Sequence, residues 1–488
     1  MNSSVTHPVV WLVGASDSAA HAGLQADIRT LHALDVHGAT IVTAITAQNS
    51  QQVAAVFPVD PAQITAQHMA LQVDVRPQAI KLGVVPNAAV LDELLPVLSA
   101  EGVPIICDPV RTSSTGQDLA DAQQRAALLR HAQQIDLLTP NLPEALYLTG
   151  MSIEHSADIP GVAAALRSQG FARVWLKGGH WDQDESTDYI SDYYIDAERA
   201  FWLTNTRLPQ TNRRGTGCTA ASAVTGFMAQ GHAFEDAVIL AQGYVHMGLQ
   251  AAHQIGQGPG PVAQCALPLA ADCLPQVTDV PWVQHPQLEF AEHPSTEMGL
   301  YAVVDDLEEL SRMLRLAVPI VQLRIKDQPL EQVDSWIAAA VDMVQGTPTK
   351  LYINDYWQLA ARHGAYGVHL GQEDLTTADL PWIAAQGLRL GLSTHCEYEL
   401  QRALAVRPSY VALGPIFPTQ SKVMRFGPQG LARLRAWRRY VDRPLVAIGG
   451  IHAGNIQAVW ETGVDAVAMI SGLRDVTDQC VIAYGRNC

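Results

Sequence analysis

Three things are scarce in this sequence: basic residues, paired cysteines and long apolar runs. Only 31 Lys and Arg stand against 48 Asp and Glu, and the net charge of −17 argues against a nucleic-acid partner. Seven cysteines without a Cys-x-x-Cys pair indicate a reducing compartment and no structural zinc site. No apolar run approaches the roughly 20 residues that cross a bilayer, so we expect no membrane partner.

The beginning of the sequence also lacks the basic and apolar segments of a signal peptide. We interpret its apolar run over 9–14 as a first strand and expect a cytoplasmic protein. At 488 residues the chain is long enough for two large domains or three ordinary ones. The sequence does not fix the oligomeric state, and a homo-oligomer is compatible with it.

Short apolar runs alternate with helical segments through the first half. Strands are predicted over 9–14, 39–44, 79–84, 104–108, 135–138 and 173–177. Helices are predicted over 24–34, 88–100, 161–169, 217–230 and 234–255. Strands that are apolar on both faces imply a parallel sheet covered by helices. We therefore predict an α/β domain with a mainly parallel sheet over 1–258.

The stretch RRGTGCTAASA over 213–223 is the strongest local signal in this half. Gly215 and Gly217 let successive backbone N–H groups converge on one point, and the helix that follows adds the positive end of its dipole. Such a turn binds anions, and we expect it to stabilise Cys218 as a thiolate beside a phosphate, as a base or a hydrogen-bond partner. Taken alone, the turn is equally compatible with a strand-to-helix loop that buries a cysteine.

Polar residues follow the predicted strands at the edge where an open α/β sheet binds its ligands. In chain order the motifs are ASDSAAHAGLQADI, VTAITAQNS, CDPV with Thr115 and Gly116, TPNLPEA, WLKGGH and GTGCTAASA. Their order and spacing resemble the hydroxymethylpyrimidine and phosphomethylpyrimidine kinases of the ribokinase superfamily over about 8–255. The resemblance implies a ribokinase-like fold and ATP-dependent phosphorylation of a pyrimidine alcohol, then of its monophosphate.

The same resemblance implies roles for single residues. Gln48 would hydrogen-bond the pyrimidine, and Ala22 and Val110 would line its pocket. ATP and Mg²⁺ would be held by Asn141, Glu144, Lys177 and Thr216. The catalytic group would be Cys218, which faces the acceptor hydroxyl, together with Lys177, Gly215 and Gly217. Phosphoryl transfer needs positioning and charge neutralisation, which a lysine, a carboxylate and an anion-binding turn supply.

Several positions depart from the pattern of that family. Alanine or histidine replaces an expected glycine at Ala15, Ala20 and His21, Lys81 begins KLGV where KTGM is usual, and Arg214 replaces a histidine. These changes lie around the substrate pocket, so they bear on the second phosphorylation and on substrate preference more than on the fold. Two alternatives follow, a kinase for another vitamin alcohol such as pyridoxal and a non-catalytic sensor of pyrimidine phosphates.

The middle of the chain, over 259–296, is punctuated by proline and has few charges, and we predict a partly ordered linker there. Beyond it, over 297–488, strands recur at nearly even spacing, over 299–304, 320–323, 350–353, 367–370, 389–392, 410–413, 444–448 and 466–470. Eight strand–helix units in this span indicate a (β/α)₈ TIM barrel, with a doubly wound sheet as the alternative.

Polar residues follow the strands of this second half as well, where a barrel binds its ligands. In order, VQLRIKD, IND, GVHLGQED, GLSTH, GPIFPTQSK, VAIGGI and ISGL resemble thiamine phosphate synthase over about 298–475. The resemblance implies that a pyrimidine diphosphate and a thiazole phosphate combine to give thiamine phosphate and pyrophosphate.

On this second resemblance, Asp355 and Asp374 would bind Mg²⁺ and Gln322 would lie near the pyrimidine. The pyrophosphate oxygens would be held by Arg324, Lys326, Asn354, Ser393 and Lys422. The thiazole phosphate would be held by Thr419, Ser421, Gly450, Ile470 and Ser471. Two departures are mild: Tyr366 stands where an aspartate is frequent, and Ser421 where a threonine is common.

Single residues of the barrel also have plainer explanations. Asp355 or Asp374 could cap a helix, and His369 fits a hydrogen-bonded core histidine better than a catalytic one. The set points to function because the diphosphate that the first half is expected to make is the one that the second half is expected to consume. We therefore expect small-molecule substrates with ATP and Mg²⁺.

Overall fold

The computed structural model describes residues 7–112, 119, 123–179, 188–294, 298–419 and 426–476. The chain divides into two compact units, Met1–Gln284 and His285–Cys488. Among the helices of the described part, none is both long and apolar enough to cross a membrane.

A ten-stranded sheet forms the centre of the first unit. Its strands are β1 (Val9–Asp17), β2 (His37–Gln48), β3 (Val53–Pro58), β4 (Ala79–Leu82), β5 (Ile105–Cys107), β6 (Leu137–Leu138), β7 (Val174–Leu176), β8 (Tyr189–Ile195), β9 (Ala200–Thr206) and β10 (Gln276–Thr278). They are arranged in the order β10-β9-β8-β7-β6-β5-β4-β1-β2-β3. Six strands, β1, β2, β4, β5, β6 and β7, run parallel, which confirms the predicted mainly parallel sheet.

Helices cover this sheet, and β1 is buried on both faces, with Val10, Trp11, Leu12 and Val13 fully inaccessible. The helices are α1 (Gly23–Ala33), α2 (Pro61–Asp74), α3 (Ala88–Ser99), α4 (Gln124–Arg130), α5 (Leu142–Thr149), α6 (Ile159–Ser168), α7 (Thr216–Ala229) and α8 (Phe234–Gln250). α1 and α7 pack on each other and on β1, which brings the start of α7 to the ligand-binding edge of the sheet.

Four strands of the first unit were not predicted from the sequence: β3, β8, β9 and β10. All four pair antiparallel with a neighbour and extend the two edges of the parallel core. β10 lies inside the predicted linker over 259–296, and its pairing with β9 attaches this part of the chain to the first unit. The division between the two units, at 284/285, lies within the predicted linker.

The second unit is a closed barrel of eight parallel strands, so the alternative of a doubly wound sheet is wrong. Its strands are β11 (Leu300–Val304), β12 (Ile320–Leu323), β13 (Lys350–Asn354), β14 (Gly367–Leu370), β15 (Arg389–Thr394), β16 (Tyr410–Leu413), β17 (Leu445–Ile448) and β18 (Ala466–Met469). Its helices are α9 (Leu307–Arg315), α10 (Leu330–Val344), α11 (Trp357–His363), α12 (Leu380–Ala385), α13 (Glu397–Ala405), α14 (Gly430–Tyr440) and α15 (Ile456–Trp460).

Local sequence explains why the barrel helices begin where they do. The Asp306 carboxylate accepts a hydrogen bond from the Glu309 backbone N–H at 2.8 Å and so caps α9. Acidic residues fill the first turn of this helix, and Arg312 and Arg315 fill its last, as the helix dipole favours. Inside the barrel, Tyr301, Tyr352 and Tyr410 are buried and contribute to a common core.

Candidate active sites

In the first unit, a buried ion pair faces the N-terminus of α7. Lys177 Nζ lies 2.9 Å from Asp108 Oδ1, and both side chains are largely buried. A Cβ placed on Gly217 would lie 3.4 Å from Lys177 Nζ and 3.5 Å from Asp108 Oδ2. The ammonium group and the positive end of the helix therefore lie at the same point, which suits a phosphate.

The turn before α7 has the geometry that its glycines predicted. Gly215 is the N-cap of α7 with φ of 77°, and a Cβ there would lie 2.1 Å from the carbonyl oxygen of His21. Only glycine fits, because both the backbone angle and the close approach exclude a side chain. The loop that it contacts is organised by Asp17, whose carboxylate accepts hydrogen bonds from the backbone N–H groups of Ala19, His21 and Ala22.

Asn141 and Glu144 form a reciprocal cap at the start of α5. Asn141 Oδ1 accepts from the Glu144 N–H at 2.9 Å, and Glu144 Oε2 accepts from the Asn141 N–H at 2.8 Å. Burial raises the pKa of Glu144 to about 7, against the opposing effect of Lys177. Although burial alone would lower the pKa of Lys177, the carboxylates of Asp108 and Glu144 raise it, so that Lys177 stays a cation.

Cys218 is on the first turn of α7, but the expectation of a stabilised thiolate is wrong for the structure as it stands. Burial raises the pKa of Cys218 to about 12, although the nearby Lys81 opposes this shift. The desolvation of the sulfur outweighs the opposing charge of Lys81 and favours the neutral thiol at neutral pH.

Lys81 belongs to a second buried polar cluster that sequence reasoning missed. Its Nζ lies 2.8 Å from Asp27 Oδ2, and the hydroxyl of Ser222 donates to Asp27 Oδ1 at 2.7 Å. Lys81 and Asp27 are essentially inaccessible to solvent. The cluster joins α1, β4 and α7, and its charges act on the nearby Cys218.

Gln48, predicted to bind the pyrimidine, is held by the arginine that replaces the expected histidine. Arg214 Nη2 donates to Gln48 Oε1 at 3.3 Å, and Nη1 donates to the carbonyls of Asn49 and Ser50. Ala22 is near Gly215, since a Cβ on that glycine would lie 3.4 Å from the Ala22 Cα. Val110 follows Asp108, to whose carbonyl its N–H donates. Thr216 is the first residue of α7 and directly follows Gly215.

In the barrel, four polar residues stand at or near the carboxyl ends of successive strands. They are Gln322, Asn354, His369 and Ser393. His369 is a satisfied core histidine, as predicted: its ring nitrogens lie 2.8 Å from Tyr410 Oη and 2.8 Å from Ser393 Oγ. Burial, followed by the charge of Arg324, lowers its pKa to about 3, so the ring is neutral.

The two predicted metal ligands of the barrel follow neighbouring strands. Asp355 comes directly after β13 in the left-handed region, with φ of 65°, and its N–H donates to the His369 carbonyl. α11 begins at Trp357 with Tyr356 in the N-cap position, one residue after Asp355. Asp374 Oδ2 accepts from the Gly371 N–H at 2.9 Å, which fixes the loop after β14.

The remaining barrel residues lie around the same mouth. Arg324 follows β12 at half burial, and Lys326 beyond it is exposed. Gly450, with φ of 67°, follows β17, and a Cβ there would lie 2.7 Å from the Pro418 carbonyl oxygen, directly before Thr419. Ile470 and Ser471 follow β18 and are exposed. Ser421 and Lys422, like Thr115 and Gly116 of the first unit, lie outside the described residues.

Tyr366, one of the departures noted above, lies at the opposite end of the barrel because it precedes β14. Its ring lies 4.2 Å from the guanidinium carbon of Arg389. The replacement of an aspartate there is therefore remote from the ligand-binding mouth.

Sequence reasoning also missed Asp108 as a site residue. The signal was present, since Asp108 directly follows β5, but only Val110 was selected from this strand end. Oδ2 of Asp108 is buried and has no hydrogen-bond partner among the described residues. A buried carboxylate oxygen in that state points to a missing ligand.

Comparison with known proteins covers both units. The family described as phosphomethylpyrimidine kinase matches residues 17–263, and the family described as thiamine monophosphate synthase matches residues 300–473. A thiamine-phosphate synthase of Serratia proteamaculans is 53% identical over 186 residues, which are 37% of this chain and 86% of that protein. The corresponding protein of Salmonella agona is 51% identical over 182 residues, again 37% of this chain and 86% of that protein.

Two solved structures are similar to part of this chain. Pyridoxal kinase from Staphylococcus aureus, solved with AMP-PCP and pyridoxal, is 27% identical, with a TM-score of 0.49, over 54% of this chain and 94% of that one. Phosphomethylpyrimidine kinase from Clostridium difficile is 30% identical, with a TM-score of 0.42, over 48% of this chain and 96% of that one.

Proposed function

The chain belongs to the phosphomethylpyrimidine kinase family in its first half and to the thiamine monophosphate synthase family in its second, and on this premise we propose two consecutive reactions. The first unit phosphorylates hydroxymethylpyrimidine and its monophosphate with ATP. The barrel then joins the diphosphate to thiazole phosphate, which gives thiamine phosphate and pyrophosphate. The observation that carries the proposal is that one chain holds both families, and the product of one is the substrate of the other.

In the first unit, Lys177 and the backbone N–H groups at Gly215, Thr216 and Gly217 hold the phosphate that moves. Their positive charge is fixed before the reaction, so it stabilises the charge that spreads over the transferred phosphoryl oxygens. Cys218 is a neutral thiol and contacts the acceptor hydroxyl as a hydrogen-bond partner instead of removing its proton. Gln48, oriented by Arg214, binds the pyrimidine beside Ala22 and Val110.

The residues around this site fit a divalent cation. The unpartnered Oδ2 of Asp108 and the carboxylate of Glu144 are hard oxygen donors within reach of the Lys177 ammonium group. Glu144, with Asn141 fixing its backbone, would hold the metal together with Asp108. When bound, Mg²⁺ would neutralise phosphate charge that Lys177 alone leaves uncompensated.

In the barrel, Asp355 and Asp374 are the corresponding oxygen donors and follow adjacent strands. Arg324, Lys326, Asn354, Ser393 and Lys422 hold the departing pyrophosphate, so that its bond to the pyrimidine methylene breaks early. The electron-rich aminopyrimidine carries the cation that forms, and the thiazole nitrogen attacks it without a general base. Thr419, Ser421, Gly450, Ile470 and Ser471 hold the thiazole phosphate.

Three further expectations stay predictions: the use of Mg²⁺, a homo-oligomeric state and a cytoplasmic location.

A phosphorus NMR time course tests both halves in one tube. The protein receives hydroxymethylpyrimidine, Mg-ATP and thiazole phosphate, and thiamine phosphate and pyrophosphate are expected to appear. Cys218→Ala is expected to slow the appearance of the diphosphate, and Asp355→Ala is expected to let it accumulate unused.

Replacement of hydroxymethylpyrimidine by pyridoxal is the control for the kinase. Faster phosphorylation of pyridoxal would contradict the assigned substrate. If the parent consumes no ATP with either alcohol but converts added diphosphate, the first half is a sensor and only the barrel assignment holds.

A further inference from the structure

A continuous chain of hydrogen bonds crosses the interior of the barrel between two of the proposed substrate-binding residues. Gln322 Nε2 lies 3.0 Å from Tyr301 Oη, which lies 2.6 Å from Tyr410 Oη. Tyr410 Oη lies 2.8 Å from His369 Nδ1, and His369 Nε2 lies 2.8 Å from Ser393 Oγ. We call these five residues the barrel relay.

Every member of the relay is electrically neutral. Gln322, Tyr301, Tyr410 and His369 are buried, and each hydrogen-bonds within the relay only to uncharged groups, so an ionised member would lack a compensating charge there. Each phenol therefore owns one proton, and the imidazole ring carries one proton on one of its two nitrogens. Since each phenol has one proton to give, the members cannot choose their donor and acceptor roles independently.

Only two arrangements of the protons satisfy every link of the relay and also leave no phenol proton without an acceptor inside it. If Gln322 Nε2 donates to Tyr301, then Tyr301 must donate to Tyr410. Tyr410 must then donate to His369 Nδ1, and the Nε2–H group of His369 donates to Ser393. The hydroxyl proton of Ser393 is then available to a ligand, and Gln322 turns its Oε1 toward the barrel mouth. In the reverse arrangement Ser393 donates inward, and Gln322 turns its NH₂ group toward the mouth.

We propose that the barrel relay couples recognition of the pyrimidine amine at Gln322 to recognition of the pyrophosphate at Ser393, with Tyr410 as the positioning residue. This inference rests on the function proposed for the barrel. An anion at Ser393 accepts a hydrogen bond from the Ser393 hydroxyl and so selects the first arrangement. Gln322 then presents an acceptor, which matches the N–H of a 4-aminopyrimidine and opposes the carbonyl of a 4-oxo analogue.

The geometry leaves room for one phenol at the centre of the relay. A Cβ on Gly391 would lie 2.3 Å from Tyr410 Oη, so a side chain at 391 would displace the phenol. Tyr352 provides a matched control, because it is equally buried in the same core and its hydroxyl pairs with His293 instead, at 2.9 Å.

The first test reads the proton arrangement directly and needs no turnover. ¹⁵N NMR of the histidine-labelled full chain, with the His369 signals assigned by their loss in His369→Asn, reports which ring nitrogen is protonated. With Mg²⁺ and pyrophosphate bound, we expect the proton on Nε2. A proton on Nδ1, or on both nitrogens, overturns the proposal.

The second test measures selectivity. The ratio of kcat/KM for the 4-amino and 4-oxo pyrimidine diphosphates is compared in the parent, Tyr410→Phe and Tyr352→Phe. We expect Tyr410→Phe to lower the ratio about tenfold or more, because the two ends no longer fix each other, and Tyr352→Phe to leave it within about twofold. Equal ratios in all three proteins overturn the proposal.

Two further readouts separate the possible failures. If Tyr410→Phe does not fold, Tyr301→Phe interrupts the same relay and the same ratio is measured. A parent that converts neither diphosphate refutes the proposed function of the barrel. A parent that converts the amino compound, with a ratio insensitive to Tyr410 and Tyr301, refutes the relay alone.

Discussion

The two units differ in the buried polar groups that lie next to their candidate ligand sites. Under the anion-binding turn of the first unit lie buried charges, the pairs Lys177–Asp108 and Lys81–Asp27. Under the mouth of the barrel lies a neutral relay of amide, phenols, imidazole and hydroxyl. Both underlie candidate phosphate sites, but the members of the first set are largely buried ions and those of the relay are neutral groups.

This difference determines how each unit responds to change. A buried charge that loses its partner keeps its full desolvation cost, whereas a neutral hydrogen bond contributes little beyond the water contacts it replaces. We therefore expect the stability of the first unit to be sensitive to single substitutions and to pH. In the barrel interior, we expect substitutions and pH to change stability little, and substitutions to change substrate selectivity.

The largest expected effect is on the stability of the first unit. Lys81→Met leaves the Asp27 carboxylate buried with Ser222 as its remaining partner, and we expect a loss of about 3–5 kcal/mol in the free energy of unfolding. Tyr352→Phe in the barrel removes one neutral hydrogen bond and is expected to cost about 1 kcal/mol. Differential scanning calorimetry of the full chain measures both, with the transition of the other unit as reference.

The double variant Lys81→Met with Asp27→Leu serves as the control for this first prediction. It removes both charges, so most of the lost stability should return. Equal costs for Lys81→Met and Tyr352→Phe would contradict the contrast between the units.

The next effect concerns activity. Lys177→Gln removes the cation at the start of α7, and we expect kcat of the kinase reaction to fall roughly 10²–10³-fold, as for loss of one fixed donor at a developing charge. The synthase reaction from added diphosphate, measured on the same molecules, should be unchanged. Lys177→Arg should recover part of the activity. Full kinase activity in Lys177→Gln would contradict the assignment of Lys177 to the site.

Much of the fold could be predicted because it depends on local patterns. All eight barrel strands are within about two residues of their predicted bounds, since each is a short apolar run followed by a polar strand end. The antiparallel strands β8 and β9 were missed, although β9 is buried from Phe201 to Asn205. Their sequences mix polar with apolar residues, and a search for continuous apolar runs overlooks such strands.

The sites were predictable to the extent that their residues end strands. The positions of Lys177, Asn354 and Ser393 at strand ends were predicted, and so was the burial of His369. Asp27, Lys81 and Ser222 could not be found, because 54 and 195 residues separate Asp27 from its two partners and no local pattern joins them. The charge state of Cys218 was wrong for a related reason, since its desolvation depends on the packing of three elements.

A smaller effect is the pH dependence of the first unit. Burial raises the pKa of Glu144 from 4.5 to about 7 in the folded protein. The folded state then holds a proton that the unfolded chain has released, so this contribution to stability is complete below about pH 4.5 and is lost as the pH rises through 7. Glu144→Gln should remove up to about 3 kcal/mol of this dependence.

Unfolding of the parent and of Glu144→Gln at pH 5 and pH 8 measures that difference. The glutamine retains an oxygen for the Asn141 N–H, so the cap of α5 is preserved. Barrel unfolding in the same scans should differ little between the two proteins. An identical pH dependence of the first unit in both would mean that Glu144 is not the group responsible.

The smallest expected effect tests whether the departures near the substrate pocket carry backbone strain. Ala20, which stands where a glycine is usual, has φ of 57°, a left-handed conformation that costs a residue with a Cβ about 1 kcal/mol. Ala20→Gly should therefore stabilise the first unit by up to about 1 kcal/mol, less the entropy that glycine adds to the unfolded chain. Ala19→Gly, at a position without this conformation, should instead destabilise slightly. If Ala20→Gly also destabilises, the alanine makes contacts that outweigh its strain, and the departure at this loop is an adaptation of the pocket rather than a tolerated change.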